Sequence, residues 1–333
     1  MTAIIPMSKR SWVALILFVA VMAAAPLVAN DYLISVLILI LMSAYIGQAW
    51  NIMMGFAGLL SLGHALYIGL GAYASAALFV HYGISPWLGM PVGIVLAASA
   101  GALIGALSFR FRVGGVYFAL LTIAFAEFTR ILFDHLDWFG SSSGLFLPVA
   151  NRATNDLVTL RGAPVMFYYL LLAATLALLA LGRVVLNHRI GYYWQAIRED
   201  EAAAAASGIE IFRYKLAAVV ISAGLTAIAG VFLAFYNNNL YPETIFAMER
   251  SIEAILPVII GGLGTLCGPI LGAFVLTALN QTLTETTAGW GINGIKQLLY
   301  GLILAIVIVA QPGGLWPFIA ARLGLARDSG RKA

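Results

Sequence analysis

Long apolar runs recur along this chain, at Trp12–Ala29, Tyr32–Trp50, Ile52–Val80, Trp87–Phe109, Val116–Phe133, Val165–Leu186, Leu216–Tyr236, Ile252–Gly262, Pro269–Leu283 and Ile295–Ala310. Most reach the roughly 18–25 residues that cross a hydrocarbon core of about 30 Å. Backbone polar groups find no water there, so each run must satisfy them internally as a helix. A β-barrel would instead show short alternating segments. Composition agrees: 62% of the 333 residues are hydrophobic and 10% charged, against about 25% charged in soluble domains. A lipid bilayer is therefore the solvent, and the expected fold is an all-α, polytopic transmembrane helical bundle.

About ten spans are expected, within a range of eight to ten. The doubt lies in Ile252–Gly262 and Pro269–Leu283, which read either as one broken span or as two short crossings. With ten passes both termini are cytoplasmic. Lys9, Arg10, Arg110, Arg112, the five basic residues from Arg183 to Lys215, and Arg322, Arg327, Arg331 and Lys332 then lie inside, 13 of the 18 Lys and Arg. That asymmetry is what membrane orientation selects. The net charge of +4 therefore reports orientation and not nucleic acid, since no basic cluster is interleaved with aromatic residues. Trp12–Ala29 follows Lys9 and Arg10 as a signal peptide would, but its length favours an uncleaved first helix. Cys267 stands alone and reads as a small apolar filler in a glycine-rich helix.

One membrane domain is expected over 1–320, with an outer connection at 134–163, a cytoplasmic segment at 187–215 and a basic tail at 321–333. The spacing Gly55-x-x-Gly58-x-x-x-x-Gly63 returns weakly as Gly261-x-x-Gly264-x-x-x-Gly268, which suggests an internal repeat of the kind that builds transporters. Glycine used simply for helix packing is the plainer alternative.

No phosphate-cradling Gly-x-x-x-x-Gly-Lys-Ser/Thr loop is present, nor a His-Glu-x-x-His, paired cysteines or a Gly-x-Ser-x-Gly elbow. No catalytic residue, metal site or cofactor is expected in this chain. The segment Arg198-Glu199-Asp200-Glu201-Ala202-Ala203-Ala204-Ala205-Ala206-Ser207-Gly208 is the most informative. Its acidic start suits a helix N-terminus, its alanines favour helix, and Gly208 stands where a C-cap belongs. A short smooth helix without its own core invites a partner's groove, although a solvated linker has the same composition.

Glu201-Ala202-Ala203 followed by Gly208 resembles the Glu-Ala-Ala…Gly coupling loop of ATP-binding-cassette importer permeases, with one extra residue before the glycine. Asn51–Ala65 continuing through Gly69-Leu70-Gly71-Ala72-Tyr73 resembles the signature of branched-chain amino acid permeases. Gly191–Gly208, Ser222–Gly230, Gly261–Gly272 and Gln311-Pro312-Gly313-Gly314-Leu315 resemble the LivM branch in the same order, over roughly residues 30 to 316. The resemblance implies an inner-membrane heteromeric importer with a type II importer architecture. It implies a LivH-like second permease, two ATPase subunits that hold the ATP and Mg, and a periplasmic amino-acid-binding protein. Arg198, Glu199, Asp200, Glu201, Ala202, Ala203 and Gly208 would form the ATPase-coupling helix.

Ile52–Val80 reads as a pathway helix, with Gly55, Gly58 and Gly63 permitting close approach or unwinding and Ser61 and His64 supplying polar groups. Asn51 and Gly264 complete the expected pathway set. A histidine within a span is costly and marks function by default; a structural hydrogen bond to a neighbouring helix is the competing reading. Glu127 and Arg130, one helical turn apart, read as a packing pair. Branched-chain amino acids are the expected cargo, with urea or short amides fitting an apolar path almost equally. A stand-alone ion-coupled transporter is the alternative class, disfavoured by the scarcity of buried acids.

Overall fold

The computed structural model describes residues 9–148, 155–287 and 294–322. From residue 323 onward the expected basic tail lies outside the described residues, as do 149–154 of the outer connection. The helices are α1 (Lys9–Ala24), α2 (Asp31–Asn51), α3 (His64–Tyr82), α4 (Pro86–Arg110), α5 (Val116–Asp134), α6 (Pro164–Asn187), α7 (Arg189–Glu199), α8 (Glu201–Ala206), α9 (Ile211–Asn237), α10 (Pro242–Ile245), α11 (Met248–Gly261), α12 (Gly268–Thr287), α13 (Ile295–Ala310) and α14 (Leu315–Arg322). A two-residue ribbon, β1 (Leu145–Phe146) with β2 (Asn239–Leu240), and an isolated bridge between Asp156 and Arg161 depart from an otherwise helical chain among the described residues.

Six of these helices have the length and apolarity of a membrane span, and a seventh is counted if α13 and α14, bent by 55°, form one. Ten passes remain an expectation. The helices run between two faces. On the face carrying α7 and α8, Gly58 lies against Arg198 and Lys215 sits 5.7 Å from the Phe109 ring. On the opposite face the α2 start meets the α12 end through Tyr32 Oη and Glu285 (2.9 Å), and the α4 start meets the outer connection through Ser85 and Val158 (2.5 Å).

The structure corrects one reading of the apolar runs. Ile52–Val80 is not one helix: α2 continues through a wider π turn over Ile52–Phe56, and α3 starts afresh at His64. Gly58, at φ +72°, turns the chain between them. Hydropathy shows no break there because the turn is itself apolar. At 252–283, left open between one broken span and two short crossings, the chain forms two separate helices. Helices α11 and α12 fold back on each other so closely that a Cβ at Gly272 would stand 1.9 Å from the Pro257 carbonyl oxygen. Cys267 accordingly lies in the turn before α12 and not within a helix.

The core is built on α2, α3 and α9, each buried over 67% of its apolar window; α4 and α5 are buried over 33% and 28%. Small residues allow this packing. At Gly230 a Cβ would lie 2.0 Å from the Ile68 carbonyl oxygen, so α3 and α9 approach at backbone distance. Large apolar side chains such as Leu88, Val95 and Leu103 on α4 remain exposed.

Candidate functional site

Three arrangements carry the polar chemistry. The first is the α7–α8 corner. The helix expected to start at Arg198 breaks at Asp200, whose extended backbone (φ −153°, ψ 109°) separates α7 from α8. Arg198 and Glu199 therefore end α7 and do not belong to the short helix. Asp200 caps α8 by accepting from the Ala202 and Ala203 amides at 2.8 and 3.0 Å. Gly208 at φ +83° closes it, with Ile209 N–H donating to the Ala204 carbonyl at 3.1 Å. Ala204 is buried, while Ala202, Ala203, Ala205 and Ala206 are exposed. Glu201 pairs with Lys215 at the start of α9, and the buried Trp194 donates to the Tyr214 carbonyl at 2.8 Å. The corner is thus anchored on one side and bare on the other.

The second arrangement gathers part of the expected pathway set at the α8 face. Asn51 Nδ2 donates to the Thr265 carbonyl (2.9 Å) and its Oδ1 accepts from the Gly264 amide (2.9 Å). The end of α2 is thereby tied to the turn before α12. Arg198 donates to the Gly55 carbonyl beside it. Gly55, Gly58 and Gly264 surround this arginine, so the two turns that seemed repeated meet at one point.

Ser61, Gly63 and His64 lie elsewhere, buried in the body of the bundle. His64 is fully buried, with Nδ1 3.2 Å from Ser61 Oγ and Nε2 3.1 Å from Ser222 Oγ. Ser222 donates its own proton to the Ala49 carbonyl at 2.7 Å, so its oxygen accepts from Nε2–H and Ser61 donates to Nδ1. Trp50 Nε1 donates to the Ser61 carbonyl (2.8 Å), and the Leu62 amide donates to Thr122 on α5 (3.1 Å). The histidine ties α3 to α9 and, through Ser222, to the end of α2.

The third arrangement was only half legible. Arg130 holds Glu127 with two 3.0 Å bonds from Nε and one of 2.5 Å from Nη2, as a packing pair should. It also reaches Asp134 at 2.9 Å. Glu243 on α10 lies near Arg130, and a separate Arg250–Glu253 pair (2.8 Å) stands on α11. The Phe133 and Phe246 rings meet Tyr73, at the middle of α3, with centroids 4.9 and 5.8 Å away. Ser251 meets the Ala65 amide near the α3 start (2.9 Å). Glu127, Arg130, Glu243, Arg250 and Glu253 therefore lie between the two faces of the bundle, partly or fully exposed on its side. Sequence reasoning missed Glu243 because only folding places α10 beside α5, and it missed the Arg250–Glu253 pair on α11 as well.

A bundle of several helices long and apolar enough to cross a membrane, with a bare short helix at one face and a charged group on its side, has the form of a transport subunit. Residues 32–310 match the family model described as "Branched-chain amino acid transport system / permease component", and the chain belongs to that family. It is 28% identical to the high-affinity branched-chain amino acid transport system permease protein LivM of Escherichia coli K12, over 95% of this chain and 77% of that protein. It is 30% identical to LivM of Salmonella typhimurium LT2, over 84% of this chain and 69% of that protein. A further relative is the ribose import permease protein RbsC of Haemophilus influenzae, 23% identical over 83% of this chain and 84% of that protein. No solved structure matches.

Proposed function

We propose that this chain is one membrane subunit of an ATP-binding-cassette importer of the bacterial inner membrane, with α7, α8 and both termini on the cytoplasmic side. The observation that carries this reading is α8: a helix fixed from behind by Asp200, Trp194 and Lys215 presents four exposed alanines and has no core of its own. Such a surface suits the groove of a soluble partner, here an ATPase subunit that holds the ATP and Mg. Residues 1–320 serve as the permease domain, a LivH-like second permease completes the pathway, and a periplasmic binding protein delivers the cargo. Branched-chain amino acids are the cargo that the LivM relatives and the family description support.

The pathway face is that of α5, α10 and α11. Charged side chains at membrane depth cost about 2.5–3.5 kcal/mol each on insertion scales and therefore face water or a partner. Glu243 and its neighbours meet that condition if the second permease closes over them.

Reconstitution in liposomes with the two ATPases, the second permease and the binding protein is expected to give ATP-dependent leucine uptake. Uptake without ATPases would overturn the reading, and uptake of urea in preference to leucine would reassign the cargo. The pathway face has its own check in a Cys267→Ser background. A water-soluble thiol reagent should modify Glu243→Cys in the assembled complex and spare the lipid-facing Val95→Cys; equal protection of both would place the pathway elsewhere.

A further inference from the structure

Two residues separate Arg198 from α8, yet its side chain points away from the surface that α8 presents. The stem crosses Gly58, where a Cβ would lie 3.0 Å from its Cγ. Its guanidinium reaches the Gly55 carbonyl at the end of α2, where helix carbonyls lack intrahelical partners. At Gly264 an added Cβ would lie 2.4 Å from Nη1. Gly58 and Gly264 also hold φ of +72° and +76°, conformations that side chains rarely adopt. Two glycines on two separate turns thus make the room that one arginine fills, and Gly55 supplies the carbonyl it reaches while a Cβ there would meet Asn51 Oδ1 at 1.8 Å. Asn51 joins the same two turns from within.

We infer that Arg198 is the positioning residue that couples α8 to the ends of α2 and α3 and to the α11–α12 turn. Two features make the link directional. The chain between Arg198 and α8 is the short extended break at Asp200, so displacement of α8 acts on Arg198 across two residues. Behind Arg198, the guanidinium fork restrains its position more fully than an ammonium's single point charge does. A partner that shifts α8 therefore pulls on Gly55 and on the loop at Gly264 together. Those turns govern how α2 and α3 meet α11 and α12 at that face.

This inference rests on the reading of α8 as the ATPase docking helix, and two measurements separate the two claims. In the purified subunit alone, Arg198→Ala should speed amide hydrogen exchange about tenfold in peptides spanning 52–63 and 261–268, leaving α3 and α9 unchanged. Gly264→Ala, which fills the guanidinium's space, should do the same. In the reconstituted complex, Arg198→Ala should lower leucine uptake per ATP hydrolysed at least about fivefold while ATPase copurification is unchanged. Arg198→Lys should recover part of the loss. Unchanged exchange overturns the link itself. Faster exchange with unchanged uptake per ATP makes Arg198 a purely structural residue and overturns the coupling role. Failure of the unaltered chain to retain ATPases overturns the docking reading and the coupling role with it, the exchange result then standing alone.

Discussion

Replacing Ala203 or Ala206 by tryptophan is expected to abolish retention of ATPase subunits while leaving the melting of the isolated subunit unchanged. Both side chains are exposed on α8 and touch nothing that holds the subunit together, and surface changes of that kind usually stay within about 0.5 kcal/mol. An indole on a face that must enter a groove blocks it sterically. Ala204 supplies the contrast. It is buried, so Ala204→Trp overpacks the corner at a cost of about 1–3 kcal/mol and lowers the melting temperature as well. Copurification and thermal scans of the three variants together decide the matter. ATPase retention by Ala203→Trp and Ala206→Trp would move the docking surface off α8.

The next largest effect is expected at His64. Replacing it by leucine leaves the Ser61 hydroxyl proton without an acceptor in a fully buried place. It also removes one of the two bonds of Ser222, which keeps the Ala49 carbonyl. A stranded polar group costs about 1–3 kcal/mol, so the variant should unfold at markedly lower temperature in detergent. A pathway role predicts the reverse pattern: normal melting and altered transport. A His64→Leu protein that melts like the parent but fails to transport would restore histidine to the pathway.

Much of the scaffold was written in hydropathy. Trp87–Phe109 became Pro86–Arg110 and Val165–Leu186 became Pro164–Asn187, because an uninterrupted apolar stretch in lipid has little choice but helix. The break between Phe56 and His64 was hidden, since its residues are as apolar as a span and only backbone geometry at Gly58 reveals the turn. The end of α7 was misplaced for a related reason. Arg198-Glu199-Asp200 has one acidic, helix-starting character in sequence, but Asp200 uses its carboxylate as a cap, and the helix must begin after it. At the candidate sites the residue types were legible and their partners were not. Asn51, Gly55 and Gly264 were singled out for polarity and flexibility, yet what joins them is an arginine more than 140 residues from Gly55 in sequence. Glu127 and Arg130 announced each other by helical spacing, whereas Glu243 belonged to no visible pattern.

The small ribbon between Leu145–Phe146 and Asn239–Leu240 ties the connection after α5 to the segment that leaves α9. Leu147 adds a further backbone bond to the Asn238 carbonyl at 2.9 Å, and Tyr73 on α3 donates to the Leu240 carbonyl at 3.1 Å. Directly after the ribbon the chain descends through α10 to Phe246, which packs against Gly69 in the body of the bundle. A force applied from outside to the connection around Phe146 therefore acts as on a lever whose short arm ends at Glu243. The connection after α5 and the charged residue on α10 are thereby mechanically linked.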